Sequence, residues 1–176
     1  QSGDLELADE SLRALAGRQS GATPYLWGTA FQLEFARQLQ RGPANRDWSN
    51  ARRLLSAGDR AGVSELPLKL AEVDIQLAEG QLDAVAATLD NLTTAYPEEP
   101  SVWRAKSDLA FRRDDLRGAL DASNRYVALS NCNLESVVAH ADLLVQADQS
   151  PAALELLKGR LKTANNDERV PLALAT

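Results

Sequence analysis

From Leu66 onward, apolar residues return at three- and four-residue steps, in runs of about 14 residues separated by short polar breaks. Each run is the pattern of an amphipathic helix with one apolar stripe, and the breaks carry Gly, Pro, Asn or paired Asp, the residues of tight turns. A helix is predicted over 66–79, roughly 21 Å long at 1.5 Å per residue, with Gly80 ending it. The next covers 83–95 and stops where Tyr96 precedes Pro97, because the residue before a proline is pushed out of the α region. Ser101 is expected to cap a third helix that runs to about Arg113, and Asp114-Asp115 turns the chain into a fourth over 116–129. After the loop SNCN at 130–133, a last pair is expected over 134–147 and 151–164.

Towards the N-terminus the pattern loosens. Residues 4–17 predict a short helix with Leu5, Leu12, Leu15 and Ala16 as its stripe, Asp4 as N-cap and Gly17 as C-cap. Pro24 suits the first position of a helix over 25–40, expected to bury Leu26, Trp27, Phe31, Phe35 and Leu39. Gly42-Pro43 breaks the chain within a loop over 41–47. A helix over 48–57 follows, with Gly58 and Gly62 punctuating the region after it. The tail at 167–176, DERVPLALAT, predicts the opening of one more helix.

The elements beat at 34 residues. Trp48, Leu82, Leu116 and Ser150 keep that spacing, as do the small residues Ala51, Val85, Ala119 and Ala153. Leu55, Leu89, Ser123 and Leu157 form a third column one turn later. In the first helices of the pairs the columns are Ala71, Ala105 and Ala139; Ile75, Leu109 and Leu143; and Leu77, Phe111 and Val145. Several columns in one register, each of one size class, are the signature of a repeat built from two helices.

These pairs resemble the tetratricopeptide repeat family, most closely from Leu66 onward and more loosely back to Pro24. Trp103 stands where the family favours a large residue early in the first helix. Gly80 and Leu82 match its turn, Ala119 and Ala153 its small residue in the second helix, and Pro97 its terminal proline. Departures are Lys106 and His140 where the family has Leu, Val73 where it has a small residue, and Asp114 and Asp148 in place of the turn glycine. The resemblance implies an all-α, right-handed superhelical solenoid of antiparallel helix pairs occupying 1–176 as a single domain. Its pairs lie at about 24–58, 66–95, 101–129 and 134–164, with half-repeats at 4–17 and 167–176. Both ends then fall inside a repeat, as expected of a fragment of a longer array.

Composition narrows the function classes. Net charge is −6 and no Lys/Arg-rich run occurs, which argues against nucleic acid as partner, since a duplex binder needs a basic footprint. No 18-residue apolar stretch exists, so membrane insertion by this segment is not expected. A single cysteine, Cys132, cannot make an intramolecular disulfide and leaves cytoplasmic and exported settings equally open.

One His and one Cys also remove most catalytic and zinc-binding sets from the inventory. His140 lies on a helix among Val137, Val138, Ala141 and Leu144, where a core-edge role is favoured over catalysis. Cys132 has no basic neighbour in sequence to activate it. The acidic pairs Asp9-Glu10, Glu98-Glu99 and Asp114-Asp115 lack the alternation of a calcium loop, and no glycine-rich phosphate cradle is present. Neither enzyme chemistry nor a cofactor is expected.

One polar column remains. Asp74, Asp108 and Asp142 stand 34 apart, each between the apolar flanks of its first helix, the side that in the resembled family lines a concave groove. Arg104 and Arg112 lie four residues either side of Asp108, and Leu70, Phe111, Val138 and Val145 would add apolar pockets. Local pairing along the helix is the simpler account of Arg104, Asp108 and Arg112, while the functional one is a groove holding an extended peptide or a helix. Some family members clamp a C-terminal carboxylate with Lys and Asn, but here the matching places hold mainly Asp and apolar residues. A basic or neutral segment is the better fit. The expected role is protein–protein interaction or scaffolding. The alternatives are a regulatory or substrate-presenting arm of a larger enzyme or export assembly, and self-association through terminal helices.

Overall fold

Turn chemistry sets the layout. In a computed structural model, which describes residues 24–166, the chain forms eight α-helices and one short 3-10 turn, Pro43–Asn45. The helices are α1 Pro24–Leu39, α2 Ser49–Arg60, α3 Glu65–Ala78 and α4 Leu82–Ala95, then α5 Pro100–Arg112, α6 Leu116–Leu129, α7 Leu134–Gln146 and α8 Ser150–Asn166. The fold is all-α, with helices packed against their chain neighbours. The helix expected at 4–17 and the tail at 167–176 lie outside the described residues.

Gly80, Asp114 and Asp148, 34 apart, all sit in the left-handed region, at φ 75°, 59° and 57°. Each closes its helix with the same two hydrogen bonds. The amide of the following residue donates five residues back: Gln81 to Gln76 at 2.9 Å, Asp115 to Ala110 at 2.9 Å, and Gln149 to Leu144 at 2.8 Å. The turn residue's own amide donates three back, to Leu77, Phe111 and Val145, at 3.0–3.1 Å. This is the Schellman closure, which satisfies carbonyls that a helix end otherwise leaves unpaired. Aspartate replaces glycine in two of the three turns without changing the geometry, since its short polar side chain tolerates this conformation better than most. Gly62 and Asn131 close α2 and α6 in the same way, with Val63 donating to Gly58 and Cys132 to Val127, both at 3.0 Å.

The chain divides into two compact units, residues 1–88 and 89–176, with the division falling inside α4. In the first, α1 packs on α2, α2 on α3, and α1 also touches α3. Trp27, Phe31, Trp48, Ala51, Val63, Ala71 and Ile75 form the core, with Phe35 and Leu55 packed against it. The rings run in series: Trp27 to Phe31 at 5.8 Å, Phe31 to Phe35 at 5.9 Å, and Phe35 to Trp48 at 5.2 Å between centroids. In the second unit α5 packs on α6, α6 against α7 and α7 on α8.

Several expectations need correction. The buried stripe of α1 runs through Trp27, Ala30, Phe31, Glu34 and Gln38, while Leu39 is exposed; the side chain of Leu26 lies outside the description. Glu34 and Gln38 are held under the following loop, where the Asp47 amide donates to Gln38 Oε1 at 3.0 Å, and Leu39 turns outward at the helix end. Gly58 does not punctuate; it is buried inside α2, which continues to Arg60. Ser101 is not a cap. Glu99 holds that position without a side-chain cap bond, and the Ser101 hydroxyl donates to Glu99 Oε1 at 2.8 Å. Side-chain caps are made by Asp115, which accepts from the Gly118 amide at 2.9 Å, and by Asn133, which accepts from the Ser136 amide at 2.8 Å.

The columns differ in how far they are buried. Ala51, Val85 and Ala119 are 0% exposed and Ala153 is 3% exposed, so the small-residue column is buried on each of the four helices that carry it. Ala71 and Ala105 are buried but Ala139 is exposed; Leu77 is buried while Phe111 and Val145 are exposed. Helix α3 buries Ala71, Val73, Ile75 and Leu77, an alternation beyond one helical face, because both α1 and α2 pack against it. Helix α5 buries only Val102, Ala105, Ser107 and Leu109, which leaves Phe111 in the open. Where α5 packs on α6, Ser107 Oγ donates to the buried Ala119 carbonyl at 2.9 Å. Ala119→Leu is therefore expected to destabilise the second unit by about 1–3 kcal/mol through overpacking. Urea denaturation checks this, and a midpoint equal to that of the parent would contradict the close contact.

Candidate functional site

The groove candidates are surface residues, and the two units hold them differently. In the first unit Leu70 and Asp74, on α3, are half-buried. In the second, Asp108, Phe111 and Arg112 are exposed on α5 with Arg104 half-buried beside them, and Val138, Asp142 and Val145 are exposed on α7.

On α5 the charges interact along the helix. Arg104 Nη1 lies 3.5 Å from Asp108 Oδ2, with about half of the Asp108 side chain exposed. Arg112 acts on Asp108 through its charge alone. Partial burial raises the Asp108 carboxyl above the usual carboxylate range, against the pull of Arg104 and Arg112. An exposed i,i+4 pair of this kind contributes about 0.3–0.5 kcal/mol, as local pairing along the helix would give.

The apolar members stay in the open. Phe111 and Val138 are each 41% exposed and Val145 is 52% exposed. Phe111 lines a shallow depression of about 320 Å³ with Asp114, Leu116 and Gln146, which brings the C-terminal ends of α5 and α7 to one place. Leu134, Val138 and Val145 follow i, i+4, i+11 spacing along α7, with Asp142 between, so apolar and acidic side chains alternate over one exposed face.

The two departures at leucine positions have different accounts. The Lys106 ammonium lies 5.7 Å from the centre of the Trp103 ring and 3.6 Å from Asp90 Oδ1, so it is shared between the indole face and a carboxylate. Arg125 lies 5.9 Å from the same ring, and the indole N–H donates to the Pro97 carbonyl at 2.8 Å. His140 is half-buried, and desolvation pushes its pKa below the ordinary imidazole range. Cys132 is exposed and sits at φ 51°.

One feature of the first unit had no place in the sequence reading. A cavity of about 700 Å³ between α2 and α3 is lined by Arg52, Asp59, Glu72 and Gln76 over a floor that includes Leu55 and Leu68. Arg52 clasps both carboxylate oxygens of Glu79 at 2.7 Å, and Gln76 Oε1 is buried without a hydrogen-bond partner. The signal that could have found it is the pair of polar rows Arg52, Ser56, Asp59 and Glu72, Gln76, at helical spacing on consecutive helices. Among the described residues no group of three or more His, Cys, Asp or Glu side chains is placed to hold a metal ion. No described helix is long and apolar enough to cross a membrane. Comparison of the chain with protein-family models, curated proteins and solved structures gave no match.

Proposed function

We propose that this chain is a tetratricopeptide-like interaction module, a right-handed superhelical array whose first helices form a concave face that holds a segment of a partner protein. It acts by binding and contributes no catalysis. The observation that supports this most is the exposure of Phe111, Val138 and Val145 on first helices, interleaved with Asp108 and Asp142. Large apolar side chains left open beside carboxylates are the ingredients of a peptide-binding face. The acidic column selects a basic or neutral segment, whose cations would pair with Asp74, Asp108 and Asp142 while its apolar residues meet Leu70, Phe111, Val138 and Val145. Arg104 and Arg112 flank Asp108 and fix the register of charges along the segment.

The test is capture of partners from extract by the parent chain and by the triple variant Asp74→Lys, Asp108→Lys, Asp142→Lys. The variant is expected to keep its helical circular dichroism and lose the parent's captured partner. Equal capture by both would show that the column is solvated surface only.

A further inference from the structure

The repeat register allows one face to be compared between helices. On α6, against which α7 packs, Ser123, Tyr126 and Val127 are 1%, 6% and 7% exposed. On α4, the residues 34 earlier include Leu89 and Leu92, at 1% and 5%. On α8 the same positions are Leu157, Arg160 and Leu161. Leu157 and Arg160 are only half-buried, and Leu161 is 63% exposed. The first position of the face behaves differently: Ala119 and Ala153 are both buried, so α8 is seated on α7 as α6 is on α5. What differs is the far side. Helix α8 carries the apolar residues of a covered helix, with Leu154 (52% exposed) extending the row, on a face that is open.

The covered example shows what fits. Helix α7, which lies on α6, is acidic: it has Glu135 and Asp142 and no Lys or Arg. Glu135 stands beside the Tyr126 hydroxyl. On α8 the position equivalent to Tyr126 is Arg160, which at helical spacing flanks the leucine row on one side, while Lys158 and Lys162 flank it on the other. The only acidic residue of α8 is Glu155, which pairs with Lys158 at 3.0 Å. The open face is therefore a leucine row between cationic flanks, in a chain whose net charge is −6.

We infer that the open face of α8 docks an acidic amphipathic helix of a partner polypeptide, laid on Leu154, Leu157 and Leu161 as α7 lies on α6, with its carboxylates towards Lys158, Arg160 and Lys162. This surface is separate from the face proposed above for a basic or neutral segment, and either can fail without the other.

The probe is a fluorescent synthetic peptide with the sequence of α7, LESVVAHADLLVQ, titrated by anisotropy against the full chain. Saturable binding is expected. It should weaken about tenfold or more in the variant Leu154→Glu with Leu161→Glu, which places charges in the apolar row. It should also weaken with added salt, and with a peptide whose Glu135 and Asp142 are changed to Lys. Circular dichroism of the variants confirms that they fold. Absence of saturable binding overturns the inference. So does binding that survives Leu161→Glu, because the peptide would then have exchanged with α7 on α6. Concentration-dependent dimerisation abolished by Leu161→Glu would make a second copy the occupant. Binding that appears only after Val170, Leu172 and Leu174 are changed to Glu would make residues 167–176 the occupant. Either of these also overturns it.

Discussion

Replacing Gly58 with valine is expected to destabilise the first unit by about 3–5 kcal/mol, as much as deleting the Trp27 ring. A Cβ at position 58 would lie 2.5 Å from Trp27 Nε1 and 2.8 Å from Cδ1 and Cε2, inside contact distance of a rigid ring. The indole cannot slide away cheaply. Its N–H donates to the buried Leu54 carbonyl at 2.6 Å, and its face stacks on Phe31. A branched side chain at 58 must therefore expel the ring, opening a cavity in the aromatic series and leaving a carbonyl unpaired. Guanidinium denaturation followed by circular dichroism measures the loss. A cycle with Trp27→Ala identifies its cause: once the ring is gone, Gly58→Val should cost far less, a non-additivity of two residues in contact. Full additivity would show that the close approach is not what holds α2 against α1.

The second large effect is expected at Arg37. Glu34 is 1% exposed, yet its carboxylate is fully engaged: Arg37 Nε and Nη2 donate at 2.9 and 3.0 Å, and Gln38 Nε2 at 2.7 Å. Gln38 Oε1 in turn accepts from the Asp47 amide, so the network ties α1 to the loop that leads into α2. Arg37→Ala should cost about 3 kcal/mol, because it leaves a buried carboxylate with one side-chain donor. Replacing the pair together, Glu34→Leu with Arg37→Leu, should cost less than Arg37→Ala alone, since no charge is then stranded. Equal losses in the two variants, measured by the same denaturation, would mean that Arg37 contributes by packing and not by neutralising Glu34.

Helix existence from Leu66 onward was legible because each stripe is written locally, and every boundary agreed to within two residues. The small-residue column was legible for the same reason: its four members are fixed by sterics at a close contact, and all four are buried. The stripe of α1 was misread at its end. Glu34 and Gln38 are inside because they satisfy each other and a loop amide, a partnership no periodicity reveals. Gly58 looked like a breaker since glycine is common at helix ends, but here its missing side chain makes room for an indole 31 residues earlier in the chain. Ala139 fits its column yet lies exposed, because register marks which positions are equivalent and says nothing of what covers them. For the groove candidates, sequence located the Asp column and the apolar residues between. The Arg104–Asp108 pairing was also legible, as an i,i+4 spacing, whereas the meeting of Phe111 with Gln146 depends on how α5 and α7 end beside each other.

The left-handed turns have a consequence for how such a chain can change over generations. Gly62, Gly80, Asp114, Asn131 and Asp148 each stop a helix with hydrogen bonds drawn from its own last turn. Stopping a helix therefore requires no distant partner, and each stop signal travels with the helix it ends. Duplication or loss of a 34-residue segment, cut anywhere within that period, returns a chain whose stop signals are still in place. The junction must then re-match only the helices on either side of the cut. A gene encoding this fold can thus lengthen or shorten its product by whole modules through a single recombination event, with point mutation left to adjust one seam.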